Sequence, residues 1–175
     1  MMNPWHDLNP GKKSPEIVTA VIEIPRGSRG KFELDKDSGL IKLDRVLFST
    51  SYYPANYGFI PKSYCEDKDP LDILVICSVD LPSGSMADAR VIGGLDMIDG
   101  GEEDTKILAV ANDDVTLKHI TDLEQLPPHL ITEIHDFFVT YKRLEKKAVE
   151  IKGVFGRAKA IEAVKAGLDL YTKTF

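Results

Sequence analysis

Residues 17–24, Ile-Val-Thr-Ala-Val-Ile-Glu-Ile, are almost continuously apolar or β-branched and stop at Pro25. Such a run predicts a strand. Residues 26–30 carry two glycines and a serine and read as a loop. Residues 31–35 alternate polar and apolar side chains, the pattern of a half-exposed strand. Asp37-Ser38-Gly39 then turns the chain into a strand over 40–47. The aromatic-rich segment 52–60 predicts another strand, bent or bulged where Pro54 and Gly58 interrupt it. Residues 71–77 predict a core strand, and Pro82-Ser83-Gly84 a turn. Two more strands, over 90–98 and 105–110, flank the loop Asp99-Gly100-Gly101-Glu102-Glu103-Asp104.

The period then changes. Leu130, Ile131, Ile134, Phe137, Phe138, Tyr141 and Leu144 recur at helical spacing and predict an amphipathic helix of about four turns. Residues 148–154 read as a short closing strand, and Gly156 precedes a lysine- and alanine-rich C-terminal helix. Many short strands with frequent turns, followed by two helices, predict a mainly-β fold: a small β-barrel with helices packed outside. No internal repeat or low-complexity tract occurs.

A chain of 175 residues fits one domain, 1–175, with a substantial core. The polar, proline-containing residues 1–14 are expected to form an N-terminal arm. They hold no apolar stretch of the kind a secretory signal needs. No segment approaches the roughly 20 apolar residues that span a bilayer, so no membrane partner is expected. Cys65 and Cys77 have neither CxxC spacing nor a disulfide pattern, which points to a reducing cytoplasm. The net charge of −6 opposes a general nucleic-acid binder. It leaves open an acidic metal site acting on phosphates, where bound ions supply the positive charge.

The chemistry concentrates at Asp67-Lys68-Asp69-Pro70-Leu71-Asp72, directly before the apolar run Ile73-Leu74-Val75-Ile76. Three carboxylates on a stiff turn repel one another, and burying them is costly unless a cation sits among them. Hard divalent ions are the natural candidates. The competing reading is a solvated acidic turn. A calcium EF-hand loop fails, because Asp72 stands where the loop requires glycine. The acids of 99–104 would alone be an ordinary soluble hairpin loop. They gain weight because strand ends of a barrel converge on one rim. Glu23, within a β-branched run, reads first as a residue on an exposed sheet face, although a barrel interior can place it among the aspartates. Lys31, Arg45, Lys106 and Lys142 read first as surface cations. Tyr52, Tyr53, Tyr57 and Phe59 could be core alone, although tyrosine hydroxyls also donate to phosphate oxygens. No Walker A motif, HExxH, GxSxG or GxGxxG occurs, and the four histidines show no zinc-ligand spacing.

In its motifs the chain closely resembles the soluble family I inorganic pyrophosphatases of the short prokaryotic type. The resemblance runs from about residue 15 to residue 166. Its most specific element is the stretch 67–73, which fits the signature D-[SGDN]-D-P-[LIVM]-D-[LIVMGAC] except at Lys68. Supporting pieces are Val21-Ile22-Glu23-Ile24-Pro25, Lys31-Phe32-Glu33, Asp44-Arg45, Tyr53-Pro54-Ala55-Asn56-Tyr57-Gly58, Asp104-Thr105-Lys106 and Phe137-Phe138 with Tyr141-Lys142. The Gly-Trp pair often found after the closing strand is missing from 154–157.

The resemblance implies a five-stranded OB-like β-barrel with flanking strands and two helices in the C-terminal half, usually assembled as a homohexamer. It implies hydrolysis of pyrophosphate to two orthophosphates with several Mg²⁺ ions, Mn²⁺ being a possible substitute. Asp67, Asp72 and Asp104 would be ligands of a first ion, with Asp72 bridging to a second. Asp99 and Asp104 would hold a third, while Glu23 and Glu33 act nearby. Asp69 would be the general base. Lys31, Arg45, Tyr57, Tyr141 and Lys142 would bind phosphate, supported by Tyr53 and Lys106. The rival classes are a non-catalytic divalent-ion module, an OB-type nucleic-acid binder and a nucleotide phosphatase.

Overall fold

The alternating apolar segments close into a ring of five strands in a computed structural model that describes residues 2–175. Met1, the first residue of the expected arm, lies outside the described residues. In chain order the elements are α1 (Pro4–Asp7), β1 (Ile17–Ile24), β2 (Gly30–Leu34), β3 (Ile41–Val46), β4 (Asn56–Phe59), β5 (Asp72–Ile76), β6 (Met86–Asp99), β7 (Glu102–Ala111), α2 (Pro128–Thr140), β8 (Val149–Gly156) and α3 (Arg157–Thr174). Strands pair in the order β1-β4-β5-β7-β6, and β6 returns to β1 to complete the ring. β5 and β7 run parallel, and the other ring pairs are antiparallel. β8 extends the sheet from β6, while β2 and β3 form a separate hairpin.

Because side chains alternate along a strand, the two faces of the ring feed two cores. Leu74, Leu95, Met97 and Leu108 join Phe137 and Phe138 of α2. Ile73, Val75, Ile107 and Ala109 join Ala160 and Val164 of α3. Each such buried Leu, Ile or Phe contributes roughly 1.5–3 kcal/mol.

Several boundaries differ from the pattern reading, each for a local reason. The strand expected over 52–60 begins only at Asn56, since Pro54 has no amide hydrogen for a ladder. The expected bulge lies on β1, between Ile22 and Ile24, across from Gly58. There the backbones nearly touch: a Cβ on Gly58 would lie 1.8 Å from the Val21 carbonyl oxygen. The loop 99–104 shrinks to a turn at Gly100 and Gly101, with φ of +61° and +87°. Its three later acids already belong to β7. Helix α2 ends at Thr140, Tyr141 caps it, and Leu144 is exposed. Residues 2–14 are folded down as well. Trp5 of α1 is buried against Val21, Leu34 and Phe59.

Candidate active site

Asp72 opens β5 and lies in register with Lys106 on β7. Two residues along each strand, Leu74 and Leu108 enter the core, so strand alternation sets Asp72, Lys106 and Asp104 on one face at its rim. Lys106 is 4% exposed. It forms ion pairs with Asp72 and, at 2.7 Å, with Asp104, beside the rings of Tyr57 and Phe138. Burial alone would strip its proton. The two carboxylates outweigh burial and hold the ammonium far above the usual lysine range. Two carboxylates share that one cation, so negative charge is left over. Burial, with Asp72 adding to it against the pull of Lys106, pushes Asp104 up to about 6.

Asp99 continues the Leu95–Met97 face to the end of β6. Phe137 and Phe138 anchor the last turn of α2, which delivers Tyr141 and Lys142 to Asp99. Lys142 forms an ion pair with it, and the Tyr141 hydroxyl lies 3.5 Å away. Burial raises the phenols of Tyr57 and Tyr141, which therefore keep their protons and act as donors. On the hairpin, Lys31 and Arg45 are cross-strand neighbours. Lys31 pairs with Glu33 and, at 3.4 Å, with Asp44. Burial lowers its pKa, Asp44 opposing and Arg45 reinforcing the shift.

Glu23 is 7% exposed, not on an open sheet face as its run suggested, and it accepts the Leu34 amide at 2.7 Å. The β1 bulge next to it reorients the strand. Burial first, and then the charge of Asp72, pushes Glu23 up to about 8. Asp67 is raised too, by burial and then by Asp69 and Asp72. Its carboxylate accepts the Asp69 amide at 3.1 Å, and the Cys65 amide donates to the Asp69 carbonyl at 2.9 Å, which tightens the acidic turn. Lys68 sits in that turn with φ +69°. The half-exposed Asp69 carboxylate pairs with Lys36.

These groups surround a cavity of about 420 Å³. Of the site residues that the family resemblance implies, all line it except Arg45 and Tyr53. Arg45 pairs with Asp44 at 2.6 Å and Glu145 at 3.0 Å. Tyr53 is buried behind the site, its ring 4.7 Å from that of Phe137 and 5.4 Å from that of Tyr57. Trp5 and Lys36 line the cavity without having been anticipated. Lys36 is a lysine between two aspartates in a polar turn, and the lone tryptophan lies in the expected N-terminal arm, so no local signal marks either. Only chain folding brings them in.

Among the described residues no three His, Cys, Asp or Glu side chains form a ready-made metal cage. Lysines interleave with the acids instead. The balance still favours added cations: seven carboxylates (Glu23, Glu33, Asp67, Asp69, Asp72, Asp99, Asp104) line the cavity against four lysines (Lys31, Lys36, Lys106, Lys142). Burial is the main reason why Glu23, Asp67 and Asp104 are raised, and neighbouring carboxylates add to each shift. An all-oxygen donor set without histidine or cysteine suits hard divalent ions.

A family model described as inorganic pyrophosphatase matches residues 20–172. Soluble inorganic pyrophosphatase 1 of Arabidopsis thaliana is 48% identical over 171 residues, 98% of this chain and 81% of that protein. Soluble inorganic pyrophosphatase 2 of Chlamydomonas reinhardtii is 47% identical over 99% of this chain and 90% of its own length. The crystal structure of inorganic pyrophosphatase from Thermus thermophilus superposes with a TM-score of 0.95 at 43% identity, covering 98% of this chain and 99% of that one. The closed ring, the acidic cavity and these likenesses agree: the chain belongs to the inorganic pyrophosphatase family.

Proposed function

We propose that the cavity hydrolyses inorganic pyrophosphate to two orthophosphates by direct attack of water. The observation that carries this reading is the interleaving of carboxylates and lysines in one cavity. A compact polyanion needs cationic donors, and its hydrolysis needs a base. The acids supply a base and ion ligands, and the lysines and phenols supply donors to phosphate oxygens.

Asp67, Asp72, Asp99 and Asp104 would hold Mg²⁺, with Glu23 and Glu33 alongside. When bound, the ions would neutralise phosphate charge and lower the pKa of a coordinated water. Lys31, Lys142, Tyr57 and Tyr141 bind the phosphate oxygens, with Arg45 steadying the hairpin through Asp44 and Glu145. Tyr53 acts from behind by packing on Tyr57. Lys106 fixes Asp72 and Asp104 in place. The half-exposed Asp69 carboxylate accepts a proton from the attacking water. Lys31 and Lys142 are paired to acids in the free protein, so substrate binding exchanges one set of ion pairs for another. No covalent intermediate is needed, in keeping with the missing nucleophile motifs.

In the same proposal the 175 residues form one domain that works in the cytoplasm as a homohexamer with Mg²⁺, Mn²⁺ being a possible substitute. No described helix is long and apolar enough to cross a membrane. The test is orthophosphate release from pyrophosphate with and without Mg²⁺, beside ATP. Release that requires the ion and prefers pyrophosphate supports the proposal. Equal or better release from ATP would make the protein a nucleotide phosphatase, and ion binding without phosphate release would leave only a binding module.

A further inference from the structure

Lys36 lies in the turn between β2 and β3 and outside every motif that pointed to the site. Its ammonium has three neighbours. It pairs with the Asp69 carboxylate, donates to the Lys68 carbonyl at 3.3 Å, and sits 5.3 Å over the Trp5 ring. Both Lys36 and Trp5 line the catalytic cavity.

The supports beneath them are firm. The Asn3 side-chain amide donates to the Lys36 carbonyl at 3.0 Å, tying the hairpin turn to the N-terminal segment. Trp5 is 4% exposed and donates its indole N–H to the Ser63 carbonyl at 2.8 Å. The Ser63 hydroxyl accepts the Leu71 amide at 2.8 Å and donates to the Ile60 carbonyl at 2.6 Å. The N-terminal turn therefore touches both the hairpin that carries Lys36 and the base of the segment that carries Asp67, Asp69 and Asp72.

An ion pair with both side chains about half exposed adds little to fold stability. Its useful property is direction. The Asp69 side chain projects from a turn, pairs with Lys36 and lines the cavity beside it. A cation held by a carbonyl and an aromatic face can restrict the carboxylate to one orientation.

We infer that Lys36, seated on Trp5, is a positioning residue that orients the Asp69 carboxylate, and that the N-terminal segment is thereby part of the active-site scaffold. This rests on Asp69 being the base of the proposed reaction. Lys36 does not bind pyrophosphate itself; it acts through Asp69.

The experiment uses the full chain and steady-state pyrophosphate hydrolysis under saturating Mg²⁺. A parent protein that releases no orthophosphate sinks the functional reading itself, before Lys36 is touched. With an active parent, Lys36→Met is expected to lower kcat about tenfold and leave KM within about twofold. Lys36→Arg, which restores the cation, is expected to recover most of the loss. In an Asp69→Asn background, Lys36→Met is expected to add no further loss. Trp5→Phe keeps an aromatic face and tests the seat while preserving the packed core; it should reduce kcat less than Lys36→Met does. Three results would each overturn the inference. One is an unchanged kcat in Lys36→Met. Another is a raised KM at unchanged kcat, which would mean direct substrate binding. The last is an equal further loss in the Asp69→Asn background, which would mean that Lys36 acts independently.

Discussion

Asp69 and Lys106 show how the surroundings of a charged side chain decide its role. Lys106 is buried between two carboxylates and cannot leave, so its charge is structural. Asp69 lines the cavity and is half exposed, so it can exchange a proton with water. Asp69→Asn keeps the size and the hydrogen-bonding oxygen but removes the base. It should lower kcat by about 10²–10⁴-fold while leaving the fold intact; steady-state kinetics beside a circular dichroism spectrum measures both. Glu23 offers a second residue-scale check. Its pKa rises from 4.5 to about 8 on folding, so between those values the folded protein binds the extra proton. Stability must then fall as pH rises through that window. In the Mg²⁺-free protein the slope should be roughly 1 kcal/mol per pH unit, about 2–4 °C of Tm. Glu23→Gln retains an acceptor for the Leu34 amide and should flatten the slope. A scan of Tm against pH for both proteins decides it.

Among the elements, two positions govern how the strands and turns carry the site. Gly58 sits where β1 and β4 approach so closely that any Cβ meets the Val21 carbonyl at 1.8 Å. Gly58→Ala must push apart strands that hold Glu23 on one side and Tyr57 on the other. It should cost about 3 kcal/mol or more, read as a shift in the denaturant midpoint. Lys68 poses the reverse case. It occupies the left-handed region at φ +69°, where a Cβ is unfavourable. The family signature prefers Ser, Gly, Asp or Asn there, and the backbone angle supplies the reason. Lys68→Gly should raise stability by roughly 0.5 kcal/mol, the relief of the turn exceeding the entropy that glycine loses. The same denaturant titration measures it.

For the whole molecule, the site is a product of closure. β5, β6 and β7 bring Asp72, Asp99 and Asp104 to one rim, the hairpin and α2 bring the cations, and the N-terminal turn braces the acidic segment. Much of this was legible in the chain. The β-branched runs announced the strands, the 3.6-residue period announced α2, and the acidic motif before an apolar run announced a cation-demanding centre. These are local properties, set by which face of an element must leave water. The rest depended on contacts between residues far apart in sequence. Nothing near Lys106 separates it from a surface lysine; it is buried because a parallel register sets it beside Asp72. Nothing near Glu23 foretells its burial, because the bulge that turns it inward needs β4 as a partner. Trp5 and Lys36 join the cavity only once the N-terminal segment folds across the hairpin. Periodicity and motif thus determined the elements and the chemistry available, whereas pairing between distant strands decided which charges meet, because Coulombic and desolvation energies depend on distance in space and not along the chain.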